Sequence, residues 1–255
     1  MSAFIQTVVE DRVMTIRFNR PEKKNAILRS MYLDAANALK AAQTDTNVRV
    51  VVITGAGDCF TAGNDLKDFL EVPPVREDAE VFQYMFTLSA FPKPVIAAVN
   101  GLAIGIGTTT LFHCDLVYAV PEATFQMPFV NLGVVPEFAS SLLAPQLMGR
   151  ATAAELLLLG EPFGAERAKE IGLVGAVVPA GDLAATVAKT AKALAAKPPG
   201  SLRDAKRLLN ADVGEIQKRI AEESRIFGER LLTPEFKEAA TAFFEKRAPD
   251  FSRFE

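Results

Sequence analysis

Residues 94–119 read PVIAAVNGLAIGIGTTTLFHCDLVYA: an apolar run, a glycine-studded turn, a short helical stretch and a second apolar run. Apolar runs without polar alternation suit strands buried on both faces. Such strands belong to parallel sheets, whose neighbours are joined by helical crossovers. Upstream, residues 50–69 (VVVITGAGDCFTAGNDLKDF) repeat the plan, with an apolar run entering a turn of small residues. A chain carrying both segments is constrained to an α/β core in which two strand ends present small-residue turns.

The rest of the chain agrees. Strands are expected at 5–10, 13–18, 48–54, 95–100, 115–120, 123–126 and 174–178. Helices are expected at 26–43, 67–70, 77–89, 107–113, 136–148, 151–159 and 164–171. From residue 182 strand signals stop, and helices are expected at 183–196, 201–209, 213–232 and 234–246. Lys197-Pro198-Pro199-Gly200 marks the expected boundary between a core, 1–197, and a helical region, 198–255. With 49% apolar and 23% charged residues the chain has the composition of an ordinary globular enzyme. A formal net charge of −3 gives no basic footprint for nucleic acid. Cys59 and Cys114 form no C-x-x-C pair and suggest reduced thiols in a cytoplasmic setting. The opening MSAFIQTVVEDRVMTIRF carries early acids and alternates like a strand, unlike a signal or transit peptide. No apolar run is long enough to span a bilayer, so no membrane partner is expected. His113 is the only histidine, which argues against multi-histidine metal sites and most histidine triads.

In the first turn, Ala62 and Gly63 would let a ligand approach the backbone, leaving the Asn64 N–H to donate ahead of Asp65 and Leu66. In the second, Gly105 and Gly107 bracket Ile106, whose N–H would point outward, and Thr108–Thr110 open the next helix. Two such donors aimed at one point would hold a negatively charged oxygen. From spacing alone the turns are equally ordinary small-residue connections.

The segments NRPEKKNAI, CFTAGNDL, AAVNGLAIGIG and CDLVYA, in that order, resemble the crotonase superfamily, also called the enoyl-CoA hydratase/isomerase family, over essentially the full length. The resemblance implies a spiral of ββα units followed by a helical trimerisation region, hence a homotrimer or a dimer of trimers. It implies that the Asn64 and Ile106 N–H groups bind the thioester oxygen of an acyl-CoA and stabilise its enolate. Ala62, Gly63, Asp65, Leu66, Gly105, Thr109 and Phe129 would then line the substrate. No metal or redox cofactor is implied, since CoA arrives with the substrate.

Hydratases of this family use two glutamates, and their positions fall here on Thr109 and Phe129, neither a useful acid or base. Glu137, in NLGVVPEFASS, resembles instead the catalytic glutamate of the peroxisomal-type 3,2-trans-enoyl-CoA isomerases, as does the Asn after Ala-Gly in FTAGNDL. Alone, an acid behind Pro136 in the first turn of the expected helix would only favour the helix dipole. The resemblance implies an isomerase in fatty acid β-oxidation that moves a 3-enoyl double bond to C2, one glutamate serving as base and then acid. The alternatives are hydratase-like or other acyl-CoA chemistry in the same family, and a non-catalytic acyl-CoA-binding scaffold. His113 is expected to be packed, Asp115 structural, and Asp65 to start a helix. Lys23, Lys24, Lys67 and Lys93 are candidate CoA phosphate contacts. Phe82, Met85 and Phe86 either line an acyl tunnel or pack in the core. Phe243 and Phe244 either close the pocket or meet a neighbouring subunit.

Overall fold

Alternating apolar residues put β1 (Ile5–Glu10) and β2 (Val13–Phe18) in antiparallel register, joined at Asp11-Arg12, where both residues are left-handed. The computed structural model describes residues 3–74, 76, 78–210 and 212–254. After the hairpin and α1 (Arg29–Thr44), strands come in pairs, one member for each of two sheets. These are β3 (Val50–Gly55) with β4 (Cys59–Thr61), β5 (Val95–Val99) with β6 (Leu102–Ile104), and β7 (Leu116–Ala119) with β8 (Thr124–Gln126). Between the pairs run α2 (Leu66–Glu71), α3 (Glu80–Ser89) and α4 (Ile106–Thr109), the last continuing as a 3-10 turn, Thr110–His113. The alternation is the ββα repeat implied by the resemblance.

Then follow α5 (Ser140–Met148), α6 (Arg150–Ala154) with a π turn at Glu155–Leu159, β9 (Phe163–Gly164), α7 (Ala165–Glu170) and β10 (Ala176–Val177). The first sheet has the order β1-β2-β3-β5-β7-β10 and is parallel from β2 onward. The second, β4-β6-β8-β9, is parallel except at β9. β5 is buried at every position, as expected for a central parallel strand covered on both faces. Beyond β10 the described residues form only helices: α8 (Leu183–Ala195), α9 (Pro199–Leu209), α10 (Val213–Leu231) and α11 (Pro234–Glu245). Among the described residues no helix is long and apolar enough to cross a membrane.

Several elements differ from expectation. The helix read at 26–43 starts at Arg29, because Ile27 is extended and bridges Asn64. The helix read at 77–89 begins at Glu80, and Glu77 lies outside the described residues. The short strands β4, β6 and β9 are not among the strands expected from sequence, and Gly164 belongs to β9 rather than to the helix expected at 164–171, which begins at Ala165. The helix read at 136–148 begins only at Ser140, so Glu137 precedes the helix instead of sitting in its first turn.

Lys93 is no phosphate contact. Its buried Nζ donates to the carbonyls of Ala42 (2.5 Å), Asp45 (2.8 Å) and Val48 (2.9 Å), closing the C-terminal end of α1. Lys206 Nζ donates to the Lys93 carbonyl and to Asp115, whose carboxylate also accepts the Val95 N–H at 2.7 Å. Asp115 is thus structural, as expected. Lys93→Met would leave three carbonyls without that donor. It is expected to cost roughly 3 kcal/mol of stability in urea unfolding with catalysis by the folded fraction unchanged.

Candidate functional site

The first turn is laced to the loop after β2. Ala62 N–H donates to Lys24, Ile27 N–H to the Gly63 carbonyl, and Asp65 N–H to the Ile27 carbonyl. Thr61 Oγ1 donates to the Asn25 carbonyl at 2.7 Å and accepts the Gly63 N–H at 3.1 Å. The Asn25 side chain in turn donates to the Ala56 and Cys59 carbonyls, which anchors the NRPEKKN loop. This bridging on both sides of Asn64 turns its own N–H the opposite way, and among the described residues that N–H has no protein acceptor.

The second turn is fixed in the same manner. Gly105 N–H donates to Gln126, the Gly105 carbonyl accepts from Thr108 and Thr109, and Thr108 Oγ1 donates to Ala103 at 2.6 Å. Ile106 is the first residue of α4, so its N–H has no intrahelical partner, and none is found elsewhere among the described residues. The turns touch. At Gly63 (φ +86°) a Cβ would lie 2.7 Å from the Ile104 carbonyl oxygen, and at Gly107 one would lie 2.6 Å from Thr61 Cγ2. Two uncommitted backbone donors therefore stand on neighbouring strand ends, β4 and β6, held parallel by the second sheet.

Glu137 is 3% exposed, and its Oε1 has no hydrogen-bond partner among the described residues. Burial pushes its pKa up to about 8, the nearby charge of Glu223 adds to this, and a hydrogen bond from the Asn64 side chain opposes it. Asn64 Oδ1 accepts the Tyr32 hydroxyl, which leaves the amide nitrogen as the end able to donate to Glu137. The residue after Ala-Gly thus offers its backbone N–H on one side and its side chain to the carboxylate on the other. The wall around the acid is aromatic: Tyr84 lies 5.7 Å from Tyr32 and 6.0 Å from Phe138 between ring centroids, and His113 stacks on Phe138.

The backbone carrying Glu137 is unusual. Phe138 and Ala139 are both left-handed (φ 59° and 57°), a conformation costing each roughly 1–2 kcal/mol. Two neighbours hold it. His113 Nε2 lies 2.8 Å from the Phe138 carbonyl, which only accepts, so Nε2 carries the proton. Burial pushes the His113 pKa down to about 4, leaving the ring neutral. From α10, Glu223 accepts the Ala139 N–H at 2.6 Å and the Ser141 N–H at 3.0 Å. The packed His113 agrees with the expectation from sequence, in which Glu223 has no role. The signal was present, since Glu223 interrupts the apolar stripe Ile216, Ile220, Phe227 and Leu231 of α10.

Other candidates fall into place. Thr109 and Phe129 are buried, and Thr109 Oγ1 lacks a partner among the described residues. Ala62 and Leu66 flank the first turn. Asp65 caps α2 through the N–H groups of Lys67 and Asp68 and pairs with Arg20 at 2.7 Å, the expected helix-start role. Lys24 pairs with Asp58, Lys67 lies 3.9 Å from Glu71, and Lys23 is exposed. Phe82 and Phe86 line a cleft of about 770 Å³ between α3 and α10, whereas Met85 is core. Phe243 and Phe244 are exposed, at 59% and 51%.

The family model described as enoyl-CoA hydratase/isomerase matches residues 9–253. Human enoyl-CoA delta isomerase 2 is 39% identical over 247 residues; the match spans 94% of this chain but only 62% of the relative's length. The 2,3-dehydroadipyl-CoA hydratase of Escherichia coli is 34% identical, covering 95% of this chain and 96% of its own. Among solved structures, Pseudomonas aeruginosa OdaA is 48% identical with a TM-score of 0.92, over 95% of this chain and 99% of that one.

Proposed function

The chain belongs to the enoyl-CoA hydratase/isomerase family, whose members act on acyl-CoA thioesters, and from that premise we propose that it isomerises 3-enoyl-CoA to 2-trans-enoyl-CoA. The observation that carries the reading is a buried carboxylate, Glu137, with one free oxygen beside two uncommitted backbone donors. The ionised carboxylate takes a proton from C2. The electron pair of that C–H bond passes into the thioester, and the enolate oxygen is held by the Asn64 and Ile106 N–H groups. Protonated Glu137 then delivers the proton to C4, the C3–C4 π pair forms the new C–H bond, and the double bond settles between C2 and C3. Electrons and protons balance within the substrate and one carboxyl group, so the step calls for no metal or redox group.

Hydration would need a second carboxylate to manage water. Thr109 and Phe129 stand where the family's hydratases carry theirs, and both Glu223 oxygens are engaged by backbone N–H groups. With 3-hexenoyl-CoA in deuterated water the expected product is 2-hexenoyl-CoA, with part of the original C2 proton recovered at C4. Accumulation of a 3-hydroxyacyl-CoA from 2-hexenoyl-CoA at comparable rate would show a hydratase instead. Binding without turnover across such substrates would show a scaffold.

A further inference from the structure

We propose that Glu223 is a positioning residue for Glu137: it tethers the left-handed turn that carries the base and sets a second buried carboxylate beside it. The inference rests on reading Glu137 as the acid/base. Glu223 reaches in from α10, 84 residues along the chain from Ala139, and places one carboxylate oxygen on the Ala139 N–H (2.6 Å) and the other on the Ser141 N–H (3.0 Å). Ala139 has no side-chain cap of its own, so this distant carboxylate caps α5. A helix cap alone would require neither burial of the acid nor proximity to a second acid. Here Glu223 is 5% exposed, and its charge is felt at Glu137.

The groups around the pair are few. Glu137 faces the Asn64 amide from the first turn, the Tyr32 hydroxyl from α1 and Glu223 from α10. Glu223 faces Ser141 on α5 and Arg219 one turn back on its own helix, and Arg219 Nη1 also donates to Ser141 Oγ at 3.0 Å. His113, from the 3-10 turn after α4, is bonded to the Phe138 carbonyl and uncharged at neutral pH. Burial raises the Glu223 pKa to about 7, while the Ser141 and Ala139 hydrogen bonds and the nearby Arg219 favour its ionised form, so the negative charge beside the base is present above that pH. A neutral glutamine at 223 would remove that charge. It would also keep only one acceptor, turning an NH2 group toward a backbone donor.

The test is the pH dependence of kcat/KM for 3-hexenoyl-CoA in Glu223→Gln, Glu223→Asp and Glu137→Gln. In Glu223→Gln the acid limb is expected to move to lower pH by about one unit, since a like charge is lost beside the base, and kcat to fall about tenfold as the tether loosens. Glu223→Asp keeps the charge on a shorter stem. Its acid limb should stay with the wild type while kcat still falls. An unmoved acid limb in Glu223→Gln overturns the proposal. If that variant fails to fold, Glu223→Asp decides alone, and wild-type kcat there overturns it. Full activity in Glu137→Gln would sink the acid/base reading itself, whatever the Glu223 variants do.

Discussion

Glu137→Gln is expected to lower kcat for 3-enoyl-CoA isomerisation by about 10²–10⁴-fold, the usual range for loss of a general acid/base. The amide occupies the same volume and can still accept from the Asn64 side chain, so substrate binding should change little. The same variant should alter stability in a direction ordinary site mutations do not. A carboxyl raised from 4.5 in the unfolded chain to about 8 in the folded one holds more protons folded than unfolded between those values. Stability therefore falls as pH rises through that window. Glutamine does not titrate, so the variant should lose most of this decline and exceed wild type at pH 8 by on the order of a few kcal/mol. Glu223, raised to about 7 by burial, preserves a smaller slope below that pH. Urea midpoints at pH 5 and pH 8 measure the effect. Equal midpoints for the two proteins at both pH values would mean that Glu137 is solvated in solution.

That residue also shows where sequence reading stops. The hairpin of β1 and β2 was legible to the residue because alternation and the Asp11-Arg12 break are local signals. The helices α8 to α11 were legible within two residues at either end, prolines marking the starts of α9 and α11. Around Glu137 local signals pointed the wrong way. Pro136 followed by an acid reads as a helix start, yet Phe138 and Ala139 are left-handed because His113 and Glu223 hold their backbone from elsewhere in the chain. Tertiary contacts overrule propensity there. The strands β4 and β6 escaped notice for a related reason: each is three residues long and flanked by turns, and it exists through pairing with a strand far along the sequence. The paired turns themselves were legible as turns. That they touch, and that Asn64 contributes its side chain as well as its N–H, follows only from the second sheet. Lys93 looked like a surface lysine because nothing local records that three carbonyls, two at the end of α1 and that of Val48 beyond it, converge on it.

The touching turns give the second large effect. Gly63→Ala should lower kcat and kcat/KM together by about 100- to 1000-fold, the loss typical of one missing oxyanion donor. The mechanism is steric. The new Cβ would stand 2.7 Å from the Ile104 carbonyl oxygen, a backbone atom that cannot swing away as a side-chain end would. Relief requires the strand ends of β4 and β6 to part, and the Asn64 and Ile106 N–H groups part with them. Since the interaction matters most when charge develops on the thioester oxygen, KM should change less than kcat. Backbone strain by itself does not account for such a loss, and Gly57 separates the two causes. Its φ of +70° is also left-handed, but a Cβ there would meet only Pro21 Cβ, at 3.6 Å. Gly57→Ala should therefore lower Tm while leaving kcat/KM within about threefold of wild type, since its strain of roughly 1–2 kcal/mol acts away from the donors. Comparable catalytic losses in both variants would show that general loosening, rather than separation of the two donors, explains the effect. Wild-type kcat in a folded Gly63→Ala protein would remove the two N–H groups from the mechanism altogether.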